Sequence, residues 1–185
     1  VTMKKLFISF LAFLMILAIA PAHAHVSIQT KGSTLVAGSS SRIWLSLGHG
    51  CTYKDQKYGT QIFSVDVPRV AGKPTPEFHV GFKTTVVASK SVDAKGVPDF
   101  YTVTWTAKSR NWAIDDGTFY DFGLSVTWDK AAQKINFPTT QTCYATLGDR
   151  TKKPLYLKWI ITDGTSKTAT EDTEFGPAPS ITTTA

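Results

Sequence analysis

Apolar and polar residues alternate along several short segments of the chain, which is the pattern of strands buried on one face. The longest such segment runs from Tyr120 to Trp128, with aromatic or aliphatic side chains at every second position. The same alternation occurs over 43–47, 63–67, 101–106 and 155–161. Since no stretch keeps the 3.6-residue apolar period of a helix beyond two turns, the pattern predicts an all-β protein.

Clusters of turn-forming residues separate these segments. They are Lys31-Gly32-Ser33, Ala71-Gly72-Lys73-Pro74, Lys95-Gly96-Val97-Pro98 and Asp115-Asp116-Gly117. Short strands with regular turns favour an antiparallel β-sandwich, which we expect over residues 25–162. From about Asp163 the chain becomes rich in Thr, Ser, Asp, Glu and Pro, so we predict a disordered polar tail over residues 163–185.

The first residues have the three parts of a secretory signal peptide. Two lysines are followed by an uncharged apolar run over residues 6–20, then by Pro21 and by small residues at Ala22 and Ala24. The apolar run is shorter than the ~20 residues that span a bilayer, which argues against a retained membrane anchor. We therefore expect cleavage of residues 1–24 and export of a protein that begins at His25, to the periplasm, the cell envelope or the extracellular space.

The composition excludes several classes of function. The net charge of +6 is spread without a run of Lys or Arg, which is too diffuse for nucleic-acid binding. Both methionines, Met3 and Met15, lie in the predicted signal peptide, so the exported part has no thioether site for Cu(I). No serine lies in a nucleophile-elbow context, and there is no Gly-rich phosphate loop.

Two cysteines, Cys51 and Cys143, remain after cleavage. An even pair in an exported protein indicates a disulfide. It would close a loop of about 90 residues, for which chain entropy sets a limit near ~4.7 kcal/mol of stabilisation. The alternative is a metal or nucleophile site built from His49-Gly50-Cys51, and export favours the disulfide.

An N-terminal histidine is a chelator. Its α-amine and its imidazole Nδ1 can bind one metal ion together, and neither group holds a proton strongly at neutral pH. Nitrogen donors in a tetragonal arrangement favour Cu(II), which is also the divalent ion with the highest intrinsic affinity. His25 therefore predicts the arrangement called a histidine brace, although a histidine can also follow a cleavage site by chance.

Several spaced segments resemble the YcnI-like family of bacterial exported copper-binding domains. They are His25-Val26-Ser27-Ile28, His49-Gly50-Cys51, Phe137-Pro138-Thr139-Thr140-Gln141-Thr142-Cys143, Val103-Thr104-Trp105 and Phe119-Tyr120-Asp121-Phe122. Members of that family often begin with His-Val-Thr-Val, and many carry Pro-His-Gly-Cys early and Phe-Pro-x-x-Gln-x-Cys late. The resemblance covers most of residues 25–162.

The resemblance implies an immunoglobulin-like β-sandwich and a Cu(II) site that uses the N-terminal histidine brace. It also implies a carboxylate ligand and a tryptophan close to the metal. By position this tryptophan is Trp159, although its alternation with Leu157 and Ile161 is equally typical of core packing.

The chain departs from the family at the carboxylate. The family has a Glu soon after the N-terminal histidine, whereas residues 25–54 contain no Asp or Glu. A distant acid such as Asp55 or Asp121, another donor or water would have to complete the site. His49 is a candidate ligand, with a structural role beside the disulfide as the alternative. His79, which we expect in the middle of a strand, is a weaker candidate.

The sequence thus predicts a non-catalytic protein that binds Cu(II) and acts in copper delivery, storage or tolerance, with other envelope copper proteins or transporters as partners. One alternative is a copper-dependent oxidase such as a polysaccharide monooxygenase, in which His49 or His79 would add a second histidine. Another is a metal-free module that binds proteins or glycans through Trp44, Trp112 and Tyr53.

Overall fold

The computed structural model describes residues 25–53, 56–144 and 153–185. The predicted signal peptide and Asp55 therefore lie outside the described residues. The strands are β1 (Ser27–Gln29), β2 (Ser40–Leu47), β3 (Cys51–Tyr53), β4 (Gln56–Pro68), β5 (Thr75–Pro76), β6 (Phe82–Ala88), β7 (Phe100–Ala107), β8 (Tyr120–Thr127), β9 (Lys134–Asn136), β10 (Thr139–Tyr144), β11 (Leu155–Ile161), β12 (Thr173–Pro177) and β13 (Ser180–Thr182).

Within the described ranges, short helical turns interrupt the strands at two places. The 3₁₀ turns Arg69–Ala71 and Arg110–Trp112 follow β4 and β7. In the part of the chain that the structure describes, no helix has the length and apolar character needed to cross a membrane.

The strands form two principal sheets and a small third one. One sheet has the order β1-β2-β8-β5, the other has the order β12-β11-β10-β4-β7-β6 with β3 added on β4, and β13 pairs with β9. All these pairs are antiparallel except β11 with β12, which is parallel. Strand β1 is thus an edge of one sheet, and β12 is an edge of the other.

Alternate side chains of the two sheets meet in a common core. Phe63 of β4 stacks on Phe122 of β8 with their ring centroids 4.8 Å apart, and Trp105 of β7 lies 4.8 Å from Phe122. All three are fully buried. The alternation in the sequence therefore predicted these strands and their inward faces correctly, because each buried position lies two residues from the next.

The expectation of a disordered tail from Asp163 is wrong for the end of the chain, where β12 and β13 form. Strand β12 pairs with β11 over five positions, from Tyr156 opposite Thr173 to Ile161 opposite Pro177. An edge strand is held by main-chain hydrogen bonds and needs few apolar side chains, so its composition resembles that of a loop. The domain thus extends to the strands at the C-terminus rather than ending at residue 162.

Candidate metal centre

The pairing of β1 with β2 determines where His25 lies. Ser27 is opposite Ser46 and Ile28 is opposite Leu45, so continuing this antiparallel register sets His25 opposite Gly48. Val26 is only 4% exposed and belongs to the core, which anchors the chain directly after His25. His25 itself is exposed. The first residue after the predicted cleavage site is therefore fixed beside the loop that contains His49.

A cavity of about 510 Å³ lies at this position. Its lining combines residues from the start of the chain, the loop after β2, strand β11 and the C-terminal segment. The lining residues are His25, His49, Thr52, Leu157, Lys158, Trp159, Ala169, Glu174, Phe175, Gly176 and Pro177. The structure thus brings together His25, His49 and Trp159, three residues that the sequence indicates separately as candidates for the site.

Because Gly176 has no side chain, Trp159 and His25 can both lie close to the backbone of β12. The two strands pair so that Trp159 is opposite Gly176. A Cβ atom at Gly176 would be 2.9 Å from Cδ1 of Trp159 and 3.5 Å from Cδ2 of His25. Any side chain there would displace the indole, so glycine is required for this close approach. Trp159 is 5% exposed and therefore both fills the core and borders the cavity.

Glu174 is a carboxylate of the cavity that sequence reasoning missed. It lies opposite Leu157 in the parallel pairing of β12 with β11, two residues before Gly176. Residues two apart on a strand share a face, so Glu174 lies on the same face as Gly176. It is exposed and lines the cavity with His25. In the sequence, Glu174 is only one acid within a segment whose composition indicates a disordered tail, and nothing there points to a cavity.

His49 is held by contacts on both its backbone and its ring. Its carbonyl oxygen accepts a hydrogen bond from Nε2 of Gln141 at 2.9 Å, and its ring Nδ1 contacts the carbonyl oxygen of Gly50. The same Nδ1 is 3.6 Å from Oδ1 of Asp116. The Nδ1 edge of the imidazole is thus held by the carbonyl of Gly50, and His49 also borders the cavity.

The disulfide predicted between Cys51 and Cys143 is confirmed, with the two Cα atoms 6.0 Å apart. Both cysteines are fully buried. Cys51 comes two residues after His49, and Cys143 comes two residues after Gln141, the donor to the His49 carbonyl. The disulfide therefore ties the His49 loop to strand β10.

Side chains alone do not complete a metal site in the described residues. No three His, Cys, Asp or Glu side chains converge there closely enough to hold an ion. A histidine brace does not require three converging side chains, because one residue supplies two of its donors. In a chain that begins at His25, the α-amine would be a ligand in addition to the imidazole. The residues present fit copper(II) on these terms, as imidazole nitrogens beside a cavity that already holds a carboxylate.

The family model "Domain of unknown function (DUF1775)" matches residues 25–182. The chain belongs to this family. DUF1775 is the family of YcnI-like copper-related domains, so the resemblance based on the spaced segments is confirmed. The match extends through β12 and β13, in agreement with a domain that includes the C-terminal strands.

A solved structure supports the fold of this DUF1775 domain. The crystal structure of an uncharacterized protein from Nocardia farcinica, described as revealing an immunoglobulin-like fold, matches with a TM-score of 0.58 and 21% sequence identity. The match covers 88% of this chain and 99% of that chain. The predicted immunoglobulin-like β-sandwich is thus confirmed. A search of curated proteins finds no match.

Two other candidate ligands of the DUF1775 domain lie outside the cavity lining. Oδ2 of Asp121 is 3.3 Å from Nζ of Lys31, in an ion pair at the surface. The expectation of His79 in the middle of a strand is wrong, because His79 lies in the loop between β5 and β6. Its Nδ1 is 2.9 Å from the hydroxyl of Tyr120. Pro76 ends β5 before the chain reaches His79, and the imidazole packs on the core aromatics.

Of the three residues proposed for a metal-free binding surface, the structure describes the side chains of two, Trp44 and Trp112. Trp44 is half-buried, donates its indole N–H to Oε2 of Glu77 at 3.0 Å and lies under Nζ of Lys31, 4.1 Å from the ring centroid. Trp112 is 47% exposed and covers Gly81. The side chain of Tyr53 lies outside the described residues.

His79 gives a prediction for the pH dependence of stability in the metal-free protein. Burial lowers its pKa, and the charge of Glu77 opposes this only partly. Below about pH 6.5 the unfolded chain takes up a proton that the folded chain resists, so the free energy of unfolding falls as the pH drops toward the lowered pKa. We expect His79→Phe to lose less stability than wild type between about pH 7 and pH 5, measured by urea unfolding. Equal losses in the two proteins would show that His79 does not contribute.

Proposed function

We propose that this protein is an exported copper-binding protein whose mature N-terminal residue, His25, binds one Cu(II) ion through its α-amine and imidazole. The observation that carries the proposal is the placement of His25 in one cavity with His49, Trp159 and Glu174. Membership of the family of YcnI-like copper-related domains supports the choice of metal.

The local structure suits a terminal chelate. Val26 is buried and Ser27 pairs with Ser46, so the backbone is held immediately after His25. Cleavage after Ala24 would create the α-amine on this anchored residue. A chelate formed by a positioned residue loses less conformational freedom on binding than one on a frayed end.

The carboxylate missing near the N-terminus has a replacement in Glu174. This acid comes from the opposite end of the chain but lines the cavity, on the same strand as Gly176, where an added Cβ atom would lie 3.5 Å from Cδ2 of His25. A carboxylate near a cation contributes charge compensation and a further donor. Glu174 is therefore the acid that we assign to the copper site, in place of Asp55 or Asp121.

The proposed role is copper delivery, storage or tolerance in the periplasm or cell envelope, without catalysis. Other envelope copper proteins or transporters would supply or receive the ion. The exposure of His25 at an edge of the sandwich supports exchange with such partners, since the site lies at the surface.

The direct test uses protein that has been exported and processed by a cell. Mass spectrometry should find His25 as its first residue, and calorimetry should find one Cu(II) bound per chain. Electron paramagnetic resonance (EPR) of the loaded protein should show nitrogen ligands. A different first residue, or the absence of copper binding by correctly processed protein, would overturn the proposal and favour a metal-free interaction module.

One observation favours a second candidate function, a copper-dependent oxidase. His49 borders the same cavity as His25, and a second imidazole is what such an oxidase would add to the brace. Oxidised products released from chitin or cellulose in the presence of copper and a reductant would support this function. Copper binding without products on these substrates would leave the non-catalytic role.

A further inference from the structure

We propose that two copies of this protein pair through strand β6, antiparallel and around a two-fold axis at Val86, so that their sheets join into one. Strand β6 is the last strand in the order β12-β11-β10-β4-β7-β6, and no strand of the described residues pairs with its outer side. An edge strand offers its unpaired main-chain N–H and C=O groups to a strand of another chain.

The hydrogen bonds at the two ends of β6 show which of its residues bond to β7. The backbone N–H of Lys108 donates to the carbonyl of Gly81 at 2.9 Å, just before β6 begins. The backbone N–H of Ser89 donates to the carbonyl of Phe100 at 3.0 Å, just after β6 ends. The register between the two strands is unbroken from one end to the other. Because residues that exchange hydrogen bonds alternate with residues that do not, the odd-numbered residues of β6 bond to β7.

The even-numbered residues of β6 therefore direct their main-chain groups toward the open edge. Phe82 already uses its N–H, which donates to the carbonyl of His79 at 3.1 Å. Thr84, Val86 and Ala88 remain, spaced by two residues as an antiparallel partner requires. An axis at Val86 pairs this residue with its own copy and pairs Thr84 with Ala88 of the second copy.

Strand β6 lacks the features that keep the other edges from pairing. Short length, proline and bulges are such features. Strand β1 has three residues, β5 has two and ends at Pro76, and the pairing of β12 shifts register before it ends at Pro177. Strand β6 has seven residues, no proline, an unbroken register and a single charge, that of Lys83.

The side chains of β6 are complementary to those of a second copy. Lys83, Thr85 and Val87 lie on the solvent face, where Val87 is 60% exposed. The proposed axis sets Thr85 opposite Val87 of the second copy, so two pairs of β-branched side chains pack across the junction. Lys83 comes opposite Ser89 of the second copy, so the two lysines lie at opposite ends of the junction. The candidate metal centre borders β12, at the other edge of the sheet, and stays open in this dimer.

The test measures dimer dissociation by sedimentation velocity over a range of protein concentrations. Wild type should form dimers as its concentration rises. Thr85→Lys/Val87→Lys sets lysine opposite lysine twice in each dimer, whereas Thr85→Glu/Val87→Lys sets glutamate opposite lysine. The first variant should dissociate about 2–30-fold more readily than wild type, and the second should dimerise at least as tightly as wild type. The matched control is Val36→Lys/Ala132→Lys, which adds the same charge at exposed residues outside this sheet and should dimerise like wild type.

A further variant tests the main-chain hydrogen bonds. Val86→Pro removes the N–H at the axis but no bond to β7, so it should abolish the dimer and keep the fold. Circular dichroism checks the fold of every variant, and the exposed positions of the charge variants decide the question if the proline variant does not fold. Wild type that remains a monomer at all concentrations would overturn the proposal. A dimer with equal affinity in both charge variants would also overturn it, because the copies would then meet through another surface.

Discussion

Blocking the α-amine of His25 is expected to abolish tight copper binding while leaving the fold intact. Acetylation turns the amine into an amide, which no longer offers a lone pair at neutral pH, so His25 then supplies only its imidazole. Two donors on one residue act as a linked pair, and linkage typically multiplies affinity by about 10²–10⁴. We therefore expect the dissociation constant for Cu(II) to rise by roughly two orders of magnitude or more.

The comparison needs three forms of the same protein: the processed form, the Nα-acetylated form and a processed His25→Ala form. The last form keeps an α-amine but has no imidazole at position 25, so it should be weakened as strongly as the acetylated form. A short Gly-Ser extension of several residues would serve as an independent block. An extension of only one or two residues is unsuitable, because the new amine would chelate copper together with the intervening amide and His25.

Stability should not change among these forms, because His25 is exposed and the fold is anchored from Val26 onward. Thermal unfolding without metal checks this point. Equal copper affinity in the acetylated and processed forms would show that the α-amine is not a ligand. The site would then have to be built from side chains alone.

The strands of the core could be predicted from the sequence because burial imposes a period of two. Ile43, Leu45 and Leu47 are buried as their alternation requires, and Phe63 and Val65 are buried in the same manner. The edge strands β12 and β13 could not be predicted in this way. They are held by main-chain pairing with neighbours, which leaves little trace in the pattern of side chains.

The candidate site likewise contains residues that could be predicted from the sequence and residues that could not. His25 could be selected from its place after the cleavage site, and Trp159 from the resemblance to a family. Glu174 could not be selected, because only the parallel pairing of β12 with β11 brings it to the cavity. Long-range pairing of this kind is fixed by the tertiary fold and not by local sequence.

Asp116 illustrates a related difficulty. Asp115-Asp116-Gly117 has the composition of a turn, and Gly117 does adopt a positive φ of 88°. Local propensity explains the turn but does not distinguish its two acids. Only the structure shows that Asp115 is exposed while Asp116 lies against His49 and Lys57.

Replacing both cysteines by alanine should strongly destabilise the protein. The disulfide joins residues 92 positions apart, and chain entropy places its contribution at about 2–5 kcal/mol with a limit near ~4.7 kcal/mol for a loop of this length. We expect urea unfolding of Cys51→Ala/Cys143→Ala to show a loss in this range. For a domain of this size the melting temperature should fall by about 10 °C.

Reductant supplies the control for this experiment. Dithiothreitol should lower the stability of wild type toward that of the double variant and should leave the double variant unchanged. A loss well below about 1 kcal/mol would mean that other contacts restrain the unfolded chain or that the oxidised form is not populated.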